Sequence, residues 1–365
     1  MPPAAHIPIH AIKGRGAATR LAHRFSKDER DAFDDGWGTL EENAAEADEL
    51  EPLATEVRFE DVKSAMNEND SPDIYFDRSI NPYRGCEHGC IYCFARPTHS
   101  YLNLSPGLDF ETKLIAKRNL VEVLRRELGR KSYRPSHIAI GTATDCYQPI
   151  ERELRITRSL IELLSEVNHP FGLVTKSSAI ERDLDLIAPA AARGLAAVYV
   201  TVTTLDGELA RKLEPRAAAP HRRLRTIRTL AEAGVPVGVS VAPQIPFVTE
   251  DMEQVLEAAW EAGARSAFYT MIRLPWEVAP LFKQWLALHY QQRADRIMAR
   301  IHDVRGGKDY DADFATRMKG TGLWADLLRQ RFEKATARIG FNRERIALDL
   351  SAFRPPGDPG QGSLF

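Results

Sequence analysis

Three of the four cysteines fall within a span of eight residues. They lie in the stretch 81–96, NPYRGCEHGCIYCFAR, as Cys86, Cys90 and Cys93, with the spacing C-x3-C-x2-C. Thiolates this close along the chain can reach one soft metal centre. Alone they cannot close a tetrahedral zinc site, which needs a fourth ligand such as Cys146 or His88. A dithiol redox site uses only a C-x-x-C pair and leaves the third cysteine unexplained. On a four-iron cubane, three thiolates leave one iron open, and an open iron can chelate a small ligand.

Such a loop needs a scaffold, and the pattern around it supplies one. From about residue 74 to 272, short apolar β-branched runs alternate with amphipathic stretches. The expected strands are 77–82, 137–141, 171–175, 197–202, 237–241 and 267–272. The expected helices are near 111–129, 151–167, 180–193, 220–234, 250–262 and 279–303, with another at 322–339. This alternation predicts βαβ units and a parallel sheet. The fold class is therefore α/β: a partial (βα)6 barrel of TIM-like design or a doubly wound sheet. Both place their sites at the C-terminal ends of the strands. The expected organisation is an N-terminal extension (1–70), a core (71–305), a C-terminal helical extension (306–352) and a flexible tail (353–365). A short apolar run at 345–350 is expected to return to the body. The extension pairs a basic arm (Lys13 to Arg30, around Gly14 and Gly16) with an acidic tract up to Glu51. The tract reads as a solvated segment, and the arm is a candidate to lie across a substrate groove.

Composition narrows the class. Hydrophobic residues make up 44% of the 365, enough for a sizeable core. The net charge of −2 excludes a globally basic nucleic-acid binder but not a local basic groove. No apolar run approaches the roughly 20 residues a membrane helix needs, and no signal-peptide core is present at the N-terminus. The expected location is the cytoplasm, where cysteines stay reduced.

With Tyr92 as the aromatic before the third cysteine, the motif resembles the signature of the radical S-adenosylmethionine (SAM) enzymes. That resemblance implies a [4Fe-4S] cluster on Cys86, Cys90 and Cys93, whose open iron binds the amino and carboxylate groups of SAM. Reductive cleavage then yields methionine and a 5′-deoxyadenosyl radical. The stretches GTATDCYQPIE, VTKSS, TTLDGELARKLEPRAAAPHRRL and PQIP extend the likeness to an uncharacterised branch related to spore photoproduct lyase, over residues 75–275. The resemblance also implies a lyase-type reaction and an electron donor such as flavodoxin or ferredoxin.

It further suggests which residues meet SAM. Tyr92 and Phe94, beside the third cysteine, are candidates for the adenine. The second strand ends in Thr144-Asp145, where related enzymes carry a Gly-Gly-Glu-like motif, so these two are proposed by position for the methionine amino group. Lys176, after the third strand, suits the SAM carboxylate or a substrate phosphate. Thr203, with Thr201 and Thr204, closes the fourth strand near the ribose; Ser240 and Gln244 stand near the fifth. Cys146 and Tyr147 are the candidate catalytic pair, a thiol or phenol able to give a hydrogen atom to a substrate radical.

Local charge points to the substrate. Arg211, Lys212, Arg216, His221, Arg222, Arg223, Arg225 and Arg228 are opposed only by Glu214 in sequence, and 113–134 and the segment from Arg293 onward are also basic. If these faces converge they form a groove for phosphates. The terminal Gln361-Gly-Ser-Leu-Phe365 resembles the motif with which DNA polymerases and repair factors dock on the β sliding clamp. The reading is a radical SAM enzyme acting on nucleic acid, in DNA lesion repair or base modification. The rivals are action on a protein or small metabolite, and a zinc-binding non-enzymatic adaptor.

Overall fold

In the computed structural model, residues 9–26 and 53–357 are described. The acidic tract and the clamp-like pentapeptide Gln361–Phe365 lie outside them. Ten strands form two sheets: β1 (Glu56–Glu60), β2 (Asn67–Glu68), β3 (Arg78–Ile80), β4 (Tyr83–Arg84), β5 (Lys113–Lys117), β6 (Ile138–Ile140), β7 (Phe171–Thr175), β8 (Ala196–Thr201), β9 (Val237–Gln244) and β10 (Ser266–Met271). The larger sheet runs β10-β9-β8-β7-β6-β3-β2. Its six strands from β3 to β10 are parallel, and β2 adds an antiparallel edge. These six are the six expected strands, and the sheet does not close on itself. This is the partial barrel of the expected class.

Alternation along the strands separates two faces. Val198 and Val200 of β8, Val237, Val239 and Val241 of β9, and Ala267, Tyr269 and Met271 of β10 pack into the main core with the covering helices. At about 25 cal/mol per Å² of apolar area, this layer is the principal stabilising term. On the other phase Gly238 makes room for the ring of Tyr199, which packs against Phe268 at 5.4 Å between ring centres.

Several expectations need correction. The stretch 111–129 is not one helix: a short helix Leu108–Thr112 ends in it, Lys113–Lys117 is β5, paired with β1 and β4 in a three-stranded sheet, and Leu120–Leu128 is a second helix. The expected helix 151–167 breaks at Arg155, which sits in the left-handed region at φ 52°. The region 279–303 is two helices, Val278–His289 and Ala294–Asp303. A short helix, Gly207–Leu213, was not foreseen; Asp206 caps it by accepting from the N–H groups of Glu208 and Leu209. The run 345–350 does return to the body, as a loop rather than a strand, with Asp349 N donating to Gly194 O at 2.9 Å. Loop 305–320 runs along the free edge of β10, where Met271 N donates to Met318 O at 2.9 Å. Arg317 of this loop pairs with Asp73 at 2.6 Å, bridging towards the opposite edge.

Candidate active site

The cysteine loop follows β4 and is fastened from three sides. Arg96 is fully buried at its centre. It donates to the carbonyls of Cys90 (2.9 Å), Gly89 (3.0 Å), Gly107 (3.1 Å) and Pro106 (3.2 Å), and pairs with the equally buried Glu111 at 2.6 Å. The loop after β6 supplies Gln148, which accepts from Glu87 N (2.8 Å) and donates to Gly85 O (3.2 Å). The loop after β8 supplies Leu213, whose carbonyl accepts from Ile91 N at 3.1 Å. The N-terminal arm closes the fourth side. Gly16 N and Ala17 N donate to the Glu111 carboxylate at 3.0 and 2.8 Å. The arm therefore docks on the cysteine loop, so closely that a Cβ on Gly16 would lie 1.8 Å from Gly89 O. Cys86 and Cys90 are buried, Cys93 is half-buried, and all three thiols are free. Burial pushes the Cys90 thiol up to about 12, against the opposing pull of the nearby Lys176 ammonium.

A second cluster lies beside the loop, at the C-terminal ends of β7, β8 and β9. Glu214 accepts from Tyr92 Oη and from Thr203 Oγ1 (2.6 Å), and forms a fully buried ion pair with Arg223. Burial alone would raise the Glu214 pKa, but Arg223 and Lys176 hold it below the usual carboxylate value. Arg223 also donates to Thr201 O at 3.1 Å. The Lys176 ammonium stands 5.9 Å from the centre of the Tyr92 ring and has no hydrogen-bond partner among the described residues. Burial works against its charge, yet Cys90 and Glu214 keep its pKa above the ordinary lysine value. Asp145 accepts from Lys176 N (2.7 Å), Thr175 Oγ1 (2.7 Å) and Tyr147 N (2.9 Å), with His88 Nδ1 at 3.2 Å. Burial opposes its ionisation, but His88 and these donors hold it well below the usual range.

Tyr92, Lys176, Thr203 and Asp145 thus gather around the cysteine loop. Thr144 is buried and donates to Tyr83 O at 3.1 Å, which bridges the two loops. Phe94 is 45% exposed, with the Arg273 guanidinium 4.5 Å from its ring centre. Thr204 is taken up by Asp251 at 2.9 Å. Ser240 is buried, and Gln244 leaves a buried Oε1 unpartnered.

Cys146 and Tyr147 go elsewhere. Both are fully buried in the main core, with Cys146 Sγ 4.0 Å from Val174 O. A hydrogen-atom donor must touch its substrate, so this placement does not suit that role. Four of the eight basic residues of the run 211–228 are also paired: Lys212 with Glu208, Arg216 with Glu87, Arg222 with Glu181 and Arg223 with Glu214. Sequence distance hid Glu87 and Glu181. Glu111 and Arg96, and the pairing of His88 with Asp145, were missed for the same reason, since they depend on contacts between distant segments.

The donor set fits an iron–sulfur cubane. A single tetrahedral ion with bonds of about 2.3 Å needs its sulfurs roughly 3.8 Å apart. Among the described residues, no three His, Cys, Asp or Glu side chains are arranged to hold one ion. The two residues considered for a zinc site are already placed, His88 against Asp145 and Cys146 in the core. Three thiols on one loop suit a larger cluster with an open iron. The unpaired Lys176 ammonium and the orphaned Gln244 Oε1 are groups that a polar cofactor would satisfy.

Residues 80–259 match the model of the radical SAM superfamily. The chain is 37% identical to the uncharacterized protein Rv2578c of Mycobacterium tuberculosis over 246 residues, covering 66% of this chain and 72% of that protein. The chain belongs to the radical SAM superfamily. It is a radical SAM enzyme, and its cofactors are a [4Fe-4S] cluster and SAM. An uncharacterized protein of Methanocaldococcus jannaschii, MJ0683, is 25% identical over 213 residues, 58% of this chain and 76% of that protein. Among solved structures, spore photoproduct lyase complexed with dinucleoside spore photoproduct matches with a TM-score of 0.45 and 15% identity, covering 78% of each chain. Streptococcus suis SuiB bound to S-adenosylmethionine matches with a TM-score of 0.43 and 12% identity, covering 85% of this chain and 54% of that one. No helix among the described residues is long and apolar enough to cross a membrane.

Proposed function

We propose that Cys86, Cys90 and Cys93 carry the cluster, that SAM lies over the ends of β6 to β9, and that the substrate is a nucleic acid undergoing lesion repair or base modification. The observation that supports the first part is the set of three free thiols on one buttressed loop, with the fourth cysteine buried in the main core. When bound, the cluster supplies the electron that cleaves SAM to methionine and a 5′-deoxyadenosyl radical. The chain's own residues bind and orient. Lys176 meets the SAM carboxylate, a charge-assisted contact stronger than a neutral one. Tyr92, held by Glu214, forms one wall, with Thr203 beside it. Asp145 fixes the start of the segment that carries Lys176. An acidic one-electron carrier such as flavodoxin or ferredoxin is the reductant. The nucleic-acid part rests on the sequence likeness to the spore photoproduct lyase-related branch.

The test is anaerobic. The protein is reconstituted with iron and sulfide, then given dithionite and SAM, and 5′-deoxyadenosine is measured by mass spectrometry. Wild type forms it; the triple variant Cys86→Ala, Cys90→Ala, Cys93→Ala does not. Equal product from both would overturn the cluster assignment. Wild-type protein lacking salt-dependent binding to DNA and RNA would overturn the substrate class.

A further inference from the structure

Among the described residues several large aromatic side chains are exposed, and four of them lie on the N-terminal arm, the segment after the cysteines and the segment after β10. Phe25 is 51% exposed, Phe94 45%, Trp276 62% and Tyr101 69%. Three of these rings surround a single guanidinium. Arg24 lies 4.6 Å from the centre of Trp276, 4.7 Å from Phe25 and 5.2 Å from Tyr101. Its charge is spent on Glu277 at 2.8 Å, so Arg24 orients the rings rather than attracting a ligand. The fourth ring, Phe94, immediately follows Cys93 in the chain and has Arg273 at 4.5 Å. Arg273 differs from Arg24. Among the described residues it makes no hydrogen bond and no ion pair; Asp73, the acid near it, is engaged by Arg317. Arg273 and Trp276 share the short segment after β10, and Phe94 and Tyr101 share the segment after the cysteines. The three rings around Arg24 and the Phe94–Arg273 pair thus draw on the same two segments, one of which starts at the third cysteine.

A set of exposed rings of this size is unusual on a soluble surface and marks a contact site. Its chemistry is specific. Rings offer faces on which flat groups stack without regard to their edges, and one uncompensated planar fork matches a phosphate. We infer that Phe25, Tyr101, Trp276, Phe94 and Arg273 form a track for a single-stranded stretch of nucleic acid, with bases stacked on the rings and a phosphate on Arg273. The inference rests on the nucleic-acid reading above and adds the place and the mode of binding. The strand would approach the cofactor along this side, its unpaired bases delivered towards the cysteine loop.

Reconstituted holoenzyme is titrated against fluorescein-labelled single-stranded DNA, single-stranded RNA and duplex DNA, by anisotropy over a range of salt. Single strands are expected to bind more tightly than duplex. Trp276→Ala and Tyr101→Ala each weaken the single strand about tenfold. Arg273→Gln flattens the slope of log affinity against log salt by about 0.7. Lys334→Gln, on the distant helix Gly322–Ile339, changes nothing. Trp276→Phe keeps a ring, so it retains most of the affinity while losing the indole share of fluorescence quenching; this separates a stacking role from a folding defect. If single strands bind but the three track variants match Lys334→Gln, the track is wrong and the nucleic-acid reading survives. Tighter binding of duplex, unaffected by the variants, has the same meaning. If wild type binds none of the three probes, both fall.

Discussion

Replacing Arg96 by methionine tests the claim that one buried ion pair organises the cluster loop. Arg96 and Glu111 have no side-chain exposure and meet at 2.6 Å. The substitution removes that contact and four donations to the carbonyls of Gly89, Cys90, Pro106 and Gly107. It also strands the Glu111 carboxylate in a dry site. Breaking a buried pair on one side costs about 3–5 kcal/mol. At roughly 2 °C per kcal/mol for a large domain, the melting temperature should fall by about 6–10 °C. Iron bound per chain after reconstitution should fall with it, because the loop that presents Cys90 loses its anchor. The charge argument makes a sharper demand. In Arg96→Met/Glu111→Gln the stranded charge is gone, while an amide oxygen still accepts from the arm. The double variant should recover at least about 1 kcal/mol relative to Arg96→Met. Calorimetry and iron analysis decide. An Arg96→Met protein that melts within 1 °C of wild type, or a double variant less stable than the single one, would refute the reasoning.

Further outcomes follow from the same geometry. Gly16→Ala drives a Cβ into Gly89 O, 1.8 Å away, so the arm should lift and become cleavable by trypsin at Arg15 and Arg20, which is read by limited proteolysis. Lys176→Met removes an ammonium without a hydrogen-bond partner among the described residues; SAM affinity should fall about tenfold in calorimetric titration, the worth of one charge-assisted contact, and the melting temperature should fall as well because Lys176 helps keep the buried Glu214 ionised. Burial pushes His99 and His169 down to about 4 from an ordinary 6.5. Below 6.5 the unfolded chain takes up protons that the folded chain refuses. Their contribution is thus complete above 6.5 and is lost as pH falls through about 4. Each should cost about 2 kcal/mol between pH 8 and pH 5 in denaturant titrations, and His169→Gln should remove its share of that slope.

Local pattern was enough for the parallel sheet. Six β-branched runs separated by amphipathic stretches can bury their faces only as βα units, and all six strands appear. The cysteine spacing likewise carried the cluster chemistry, because three ligands on one short loop need no distant partner to be recognised. Lys176, Thr203 and Asp145 were legible as residues just past strand ends, where this architecture gathers its site, and Tyr92 from its place in the cysteine motif. Pairing across long sequence distance was not legible. Strand β5 read as helix because Lys113–Lys117 is short and its partner β1 lies more than 50 residues earlier. Arg216 and Arg222 read as a positive face because Glu87 and Glu181, which neutralise them, come from other loops. Cys146 looked available because its position after a strand is a site position, yet one turn of chain carries its thiol into the core. The sequence by itself determined the class of fold and the grouping of three cysteines on one short loop, since periodicity and spacing are local properties. Only the tertiary structure decided which charges are spent, which thiol is hidden and which aromatic rings face solvent beside the site. Those depend on what the fold packs against each side chain.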